Sequence, residues 1–332
     1  MSVDNSADPA AIAATIQEEC AAVLVGNEET LQRLTIALLT RGHILLEGVP
    51  GVAKTTVANL FARVSGLSFT RIQMTPDMLP ADITGTTMYH DETDEFTLHR
   101  GPIFSNIVVA DEINRATPKT QSALLEAMQE RQVTIEGETL SLPEPFMVIA
   151  TQNPLEFEGV YELPEAQRDR FQLKLTIDLP DRDDEQALLE RFDTKPTLGP
   201  ADISQRIEPG ALLDARAVVD RVHIADAVTE YLLDVIGATR DHPDVEHGAS
   251  PRAGLALQNG GKALAAIEGR DYVIPDDIKS LAPATLEHRL VLTADAELSG
   301  VQPSSVIEEI LADVAVPGVD PATLADPGAA SD

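Results

Sequence analysis

The sequence predicts an α/β fold in which a five-stranded parallel sheet flanked by helices is followed by a smaller, helical domain. Three observations predict it. Strand candidates at 44–46, 69–73, 107–110, 146–150 and 173–177 alternate with helical or loop-like stretches, the pattern of strands joined by crossovers. After Asp178-Leu-Pro-Asp181 the strand signals stop and helical spacing takes over, with Pro and Gly at the joints. Between the first strand and the first crossover helix lies a loop, Gly48 to Thr56, that reads G-V-P-G-V-A-K-T-T.

In chain order, residues 1–10 are small and polar and read as a frayed tail. Ile12, Ile16, Cys20, Val23 and Leu24 then recur at helical spacing, Val25-Gly26-Asn27-Glu28-Glu29 interrupts, and residues 30–39 resume as a helix. This makes a two-helix cap before the first strand. Two segments break the strand–helix rhythm further on. Residues 86–99 read as a hairpin with an acidic turn, and 132–142 alternate around a Glu-Gly turn as a second hairpin. Helices are expected at 185–192, 209–222, 225–239, 251–268, 275–288 and 304–314. The division that follows is an α/β core over 1–180, an all-helical domain over 181–316, and a disordered Ala-, Pro- and Asp-rich tail over 317–332.

Composition bounds the surroundings. The chain has 332 residues, long enough for two cores, and its 43% apolar content is ordinary for a globular protein. No run approaches the eighteen or so apolar residues that span a bilayer. The start lacks a basic and then apolar leader, and the single Cys20 excludes an intramolecular disulfide, so the expected compartment is the cytoplasm. Charge is the unusual quantity: 24 Lys+Arg against 55 Asp+Glu leave a net charge of -31. The acids are spread evenly, with only mild clusters such as 181–185. Such a surface repels itself in dilute buffer, whereas at molar salt the screening length falls to about 3 Å. A halophilic source is therefore expected ahead of an acidic protein that binds basic partners.

The loop at 48–56 has the chemistry of a phosphate cradle. Backbone N–H groups of Gly48, Val49, Pro50-flanked Gly51, Val52 and Ala53 would wrap phosphates, Lys54 would reach the terminal ones, the Thr55 hydroxyl would ligate magnesium, and Thr56 continues the turn. Ala53 stands where the general pattern has Gly. Downstream, residues 105–112 form an apolar strand ending in Asp111 and Glu112. Asp111 would hold the magnesium through water, and Glu112 would orient or deprotonate the water that attacks the γ-phosphate. Asn153, in Thr151-Gln-Asn-Pro154, ends the next strand, where it could position that water or simply make a turn. Arg168 and Arg170 precede the last strand and read equally as surface arginines paired with acids. Arg252 sits in the first turn of a helix begun by Pro251; a positive charge there opposes the macrodipole, so a specific anionic partner is expected.

Together G-V-P-G-V-A-K-T-T, V-V-A-D-E-I-N-R-A, L-L-E-A-M-Q-E-R-Q-V-T, A-T-Q-N-P, L-P-E-A-Q-R-D-R-F and G-A-S-P-R-A resemble, in this order and over 23–291, the MoxR family of AAA+ ATPases. In that family Ala53 is the usual residue. The resemblance implies that Lys54 and Thr55 are Walker A, Asp111 and Glu112 Walker B, Asn153 sensor 1 and Arg252 sensor 2. It implies that Arg170, with Arg168 as the alternative, is an arginine finger given to a neighbouring subunit, and that Val25 and Gly26 contact adenine. The two hairpins look like the helix-2 and pre-sensor-1 insertions of the clade that includes magnesium-chelatase and MCM proteins. What it implies of function is an oligomeric, hexameric, Mg2+-dependent ATPase that uses ATP to remodel or mature protein complexes. Its partners would be a protein client and a separate von Willebrand A-domain protein. An MCM-like nucleic-acid motor would want basic insertion hairpins. The 132–142 hairpin instead offers Glu136 and Glu138, so no nucleic acid is expected. A magnesium-chelatase-type subunit shares the insertions but fits the loop and G-A-S-P-R-A motifs less well.

Overall fold

A computed structural model describes residues 7–91, 94–154 and 159–318. The first six residues of the expected frayed start, the tip of the acidic turn at 92–93 and the expected tail from 319 onward lie outside the described residues.

The chain opens with α1 (Pro9–Ala21) and α2 (Glu28–Leu39). Helix α1 starts inside the stretch expected to fray, because Asp8 accepts a hydrogen bond from the Ala10 N–H at 3.0 Å and Pro9 is preset for the first turn. Helix α2 starts at Glu28, two residues earlier than expected, with Glu28 and Glu29 in the turn where the macrodipole favours acids. The α/β part follows as β1 (Ile44–Glu47), α3 (Lys54–Val64), β2 (Phe69–Gln73), a short α4 (Pro80–Thr84), the hairpin β3 (Gly85–His90) and β4 (Glu95–Arg100), and β5 (Ile107–Asp111). Then come α5 (Pro118–Glu130), the hairpin β6 (Gln132–Ile135) and β7 (Glu138–Ser141), β8 (Met147–Gln152), α6 (Glu165–Arg168) and β9 (Leu173–Thr176). The second hairpin turns through positive φ at both Glu136 and Gly137, the geometry that matches strand twist.

Five strands form one parallel sheet in the order β2-β5-β8-β1-β9. Strand β5 is buried at every position, as expected where helices cover both faces. Alternate side chains feed two cores. Ile44, Leu46, Val109, Ile149 and Leu173 face α1 to α3, while Leu45, Val108, Ala110, Val148 and Ala150 face α5.

The helical half contains α7 (Arg182–Thr194), α8 (Pro209–Val219), α9 (Asp226–Asp241), α10 (Pro251–Ile267), α11 (Pro275–Leu286), α12 (Ala294–Leu298) and α13 (Pro303–Asp313). It also carries one short antiparallel pair, β10 (Val245–His247) with β11 (Val291–Leu292). Strands of three and two residues are too short to leave a periodic trace. The core on the α1–α3 face continues without a break into this half through Leu212, Val235, Leu257, Ile278 and Ile310. Helices α1 and α2 serve both halves, touching α3 on one side and α8 and α10 on the other.

Two buried histidines tie elements together. His43 Nδ1 accepts the Val148 N–H at 3.0 Å, which leaves Nε2–H to donate to the Met128 carbonyl at 3.1 Å, so the ring is neutral. Burial pushes its pKa down to about 4, and the His288 ring, packed against the Phe171 carbonyl and beside Arg289, is pushed down in the same direction. In the unfolded chain a histidine takes up its proton near pH 6.5. The folded state resists that proton, so stability is full above that pH and is lost as pH falls toward 4. For His43 alone the full loss is on the order of 3 kcal/mol. Urea unfolding of the parent and of His43→Gln at pH 7.5 and 5 checks this. The gap between the two proteins should shift in favour of the variant at pH 5, and the comparison removes the relief of acidic self-repulsion common to both; a gap independent of pH sinks the assignment.

Candidate functional site

The phosphate loop leaves β1 at Glu47 and enters α3 at Lys54. Gly48 is required by close approach: a Cβ there would lie 2.5 Å from the Ile177 carbonyl oxygen. Gly51 takes φ +93 and faces open space, and Ala53 holds a left-handed φ of 61 as the cap of α3. A left-handed non-glycine residue costs roughly 1–2 kcal/mol, strain that sits where it exposes the loop's N–H groups. Val52 is buried beneath the loop, Val49 is half-buried, and Pro50 is exposed. Lys54 Nζ donates to the Gly48 carbonyl at 2.5 Å and to the Gln152 carbonyl at 3.3 Å, so it spans from the loop to the end of β8. Thr55 and Thr56 occupy the first turn of α3, half-buried.

The Val25–Gly26 turn, earlier in the chain, is held by the segment that also packs on the loop. Gly26 has φ +69, and the Asp184 carboxylate occupies the place a Cβ would take. Arg191 Nη1 clamps the turn from α7 by donating to the carbonyls of Ala21 at 2.7 Å and Leu24 at 2.8 Å. The segment just past β9 thus packs on both the loop and this turn.

At the carboxyl edge of the sheet, Asp111 ends β5 opposite Gln73 of β2. The Thr151 hydroxyl donates to Asp111 Oδ1, and Arg71 donates to Oδ2 through Nη2 and through Nε at 2.9 Å. Glu112 follows in a left-handed conformation, φ 57, with its N–H donating to the Thr151 hydroxyl at 2.9 Å. Its Oε2 accepts from Gln73 Nε2 at 2.7 Å and from Arg115 Nη1 at 2.9 Å. Asn153 lies buried one residue past β8 and lines a cavity with Glu47, Gln152, Arg168, Lys174 and His288. Lys54, Asp111, Glu112 and Asn153 therefore meet along the ends of β1, β8 and β5.

The arginines separate. Arg168 lines the cavity beside Asn153, with a buried Nε that has no hydrogen-bond partner among the described residues. Arg170, two residues on, opens onto a different concavity, bordered by Ser122, Glu126 and Glu130 of α5. Asp169 between them accepts from Arg289 Nε at 2.8 Å and from the Ser250 hydroxyl at 3.0 Å. Arg252 finds its anionic partner here too, with Nη1 4.0 Å from Asp169 Oδ2, while Ser250 caps the Arg252 N–H at 3.2 Å.

Residues 43–173 match the family described as ATPases associated with various cellular activities (AAA), and residues 237–310 match the AAA lid domain. The Chaperone MoxR1 of Mycobacterium tuberculosis is 45% identical over 307 residues, covering 90% of this chain and 80% of that protein. The chain belongs to the MoxR family of AAA+ ATPases. YeaC of Bacillus subtilis is 46% identical over 298 residues, covering 89% of this chain and 92% of that one, and the MoxR protein of Methylorubrum extorquens is 31% identical over 315 residues, covering 87% and 90%. A solved structure from Cytophaga hutchinsonii superposes with a TM-score of 0.87 at 40% identity, covering 93% of this chain and 96% of that one. This MoxR chain is an ATPase. Among its described residues no helix is long and apolar enough to cross a membrane.

The donors fit magnesium. Thr55 offers a hydroxyl and Asp111 a carboxylate, both hard oxygens, and among the described residues no group of three or more His, Cys, Asp or Glu side chains forms a protein cage. Magnesium ordinarily takes one or two carboxylates and completes its shell with phosphate oxygens and water. The MoxR motifs did not single out Arg71, Gln73, Arg115, Thr151, Asp169 or Arg289. The first two left a signal: Arg71 and Gln73 alternate with buried Ile72, two polar side chains on one face of the strand.

Proposed function

We propose that this MoxR ATPase is Mg2+-dependent, works as a ring, most simply a hexamer, and remodels or matures other protein complexes in the cytoplasm. The observation that carries the reading is the divergence of Arg168 and Arg170. Arg168 turns to the chain's own Asn153, whereas Arg170 turns away from it toward the outer side of α5, as a group meant for a second copy would. In this reading Gly48 to Ala53 and Thr56 cradle phosphates, Lys54 binds the terminal ones, and Val25 and Gly26 contact the base. Thr55 and Asp111 hold the magnesium, which neutralises phosphate charge. Glu112 polarises the attacking water, Asn153 orients it, Arg252 approaches from the helical half, and Arg170 completes the neighbour's site. The α/β core would end near 180 and the helical lid run over 181–316.

The printed name of the Mycobacterium relative supports a chaperone-like role, and a von Willebrand A-domain protein is the partner this family predicts. The β6–β7 hairpin carries Glu136 and Glu138, which would repel phosphates and so argues against a nucleic-acid track. The test is a Glu112→Gln trap immobilised in native extract. Protein retained with ATP and released with ADP supports remodelling; no ATP-dependent retention, or clear stimulation of the parental ATPase by DNA, overturns it.

The charge of -31 supports an ion-rich working medium. Melting temperature and ATPase turnover should both rise as KCl goes from dilute buffer toward molar concentration, because screening removes surface self-repulsion. A melting temperature that is flat or falls across that range removes the halophilic reading.

A further inference from the structure

The Asp111 side chain is only 12% exposed, yet it is not left to wait for a metal. Its Oδ2 is taken by both Nε and Nη2 of Arg71, and its Oδ1 by Thr151. Arg71 comes from β2, two residue pairs below the Gln73–Asp111 pairing and on the same face as Gln73, and its side chain is half exposed. The same Nη2 donates to Gln73 Oε1 at 2.8 Å, and Gln73 Nε2 in turn donates to Glu112 Oε2 at 2.7 Å. A single chain of hydrogen bonds therefore runs from the metal-side carboxylate to the carboxylate read as the base.

We propose that Arg71 is a positioning residue that stands in for the metal: it neutralises Asp111 while the site is empty, competes with the divalent cation for that carboxylate, and through Gln73 links the cation's arrival to Glu112. This rests on the reading of Asp111 as the metal carboxylate. The physical grounds are charge and reach. A carboxylate so little exposed needs a counter-charge, and a guanidinium supplies a planar pair of donors that fits it. Two cations gathered on one carboxylate repel each other, whether the metal is held directly or through water. Being half exposed, Arg71 has solvent to swing into when the cation enters. Its departure also removes the donor that orients the Gln73 amide, which frees that amide to release Glu112.

Mn2+ binding to the ADP-bound protein, followed by electron paramagnetic resonance, tests this without relying on turnover. Arg71→Ala should bind Mn2+ about tenfold more tightly than the parent, since a nearby positive charge is removed in a partly screened setting. Arg71→Lys, which keeps the charge, should stay within about twofold. Arg71→Gln, which keeps a donor for Asp111 and so guards the fold, should shift in the same direction as Arg71→Ala. Unchanged or weaker Mn2+ binding in both neutral variants overturns the competition. Asp111→Asn separates the two failures: if it loses Mn2+ while the neutral Arg71 variants show no tightening, only this proposal falls, and if it binds Mn2+ like the parent, the metal reading of Asp111 falls with it.

Discussion

Arg170→Ala should bind ATP as the parent does yet turn it over roughly a thousandfold more slowly, the low end for loss of an arginine finger. The reason for expecting intact binding is geometric. Arg170 borders the α5 concavity and not the cavity around Asn153, so its removal leaves the chain's own loop, Asp111 and Glu112 untouched. The defect should be repairable in mixtures. A subunit with Arg170→Ala keeps its own Walker residues, and one with Glu112→Gln keeps its finger, so a ring containing both has interfaces where an intact site meets an intact arginine. Two proteins that are each inactive should regain part of the activity once subunits exchange. If Arg168→Ala behaves this way instead, the finger is Arg168, and the outward turn of Arg170 has another use. If neither does while exchange is demonstrated, the shared active site fails, and the case for an obligatory ring fails with it.

The second large effect separates binding from chemistry. Lys54→Ala should abolish ATP binding, because the ammonium that now bridges the Gly48 and Gln152 carbonyls is the loop's own positive charge at the phosphates. Glu112→Gln should bind ATP normally and lose on the order of a hundredfold or more in turnover, the scale of a missing general base. The amide is nearly isosteric, and its carbonyl oxygen can still accept from Gln73 and Arg115, so the fold at the left-handed Glu112 position is preserved. Equilibrium binding of a fluorescent nucleotide and single-turnover hydrolysis measure the two separately. Parental turnover in Glu112→Gln would move the base elsewhere.

The central strands β1, β5 and β8 were legible in the sequence because strands buried on both faces leave apolar runs, and the candidate Walker residues stood out because that chemistry demands Lys, Thr, Asp and Glu at fixed places around such runs. Strand ends were less so. β8 runs on to Gln152, two residues past its apolar stretch, because β1 pairs Leu46 with Thr151 and Glu47 with Gln152, and no local pattern announces a partner. Arg71 and Asp169 escaped for a related reason. Each acts through a residue far away in sequence, Asp111 in one case and Ser250 with Arg289 in the other, so its meaning exists only once the chain is folded. Arg252 was half legible: its place at a helix start predicted an anion nearby, though not that the anion would be Asp169.

The apolar contact that passes unbroken from the sheet into the helical half limits how the two can move against each other. A lid hung on a slack linker swings like a door. Here Leu46, Leu173, Leu257 and Ile278 belong to one close-packed interior, and α1 and α2 are wedged between the halves. Elements joined by a packed interior favour small sliding steps, in which side chains exchange neighbours, over wide opening. In the remodelling reading proposed above, movement driven by the nucleotide would be short and stiff, with little play between cause and effect. The same wedge makes the first helix a keystone: trimming α1 would loosen α3, which begins at Lys54 of the phosphate loop, together with α8 and α10 of the helical half.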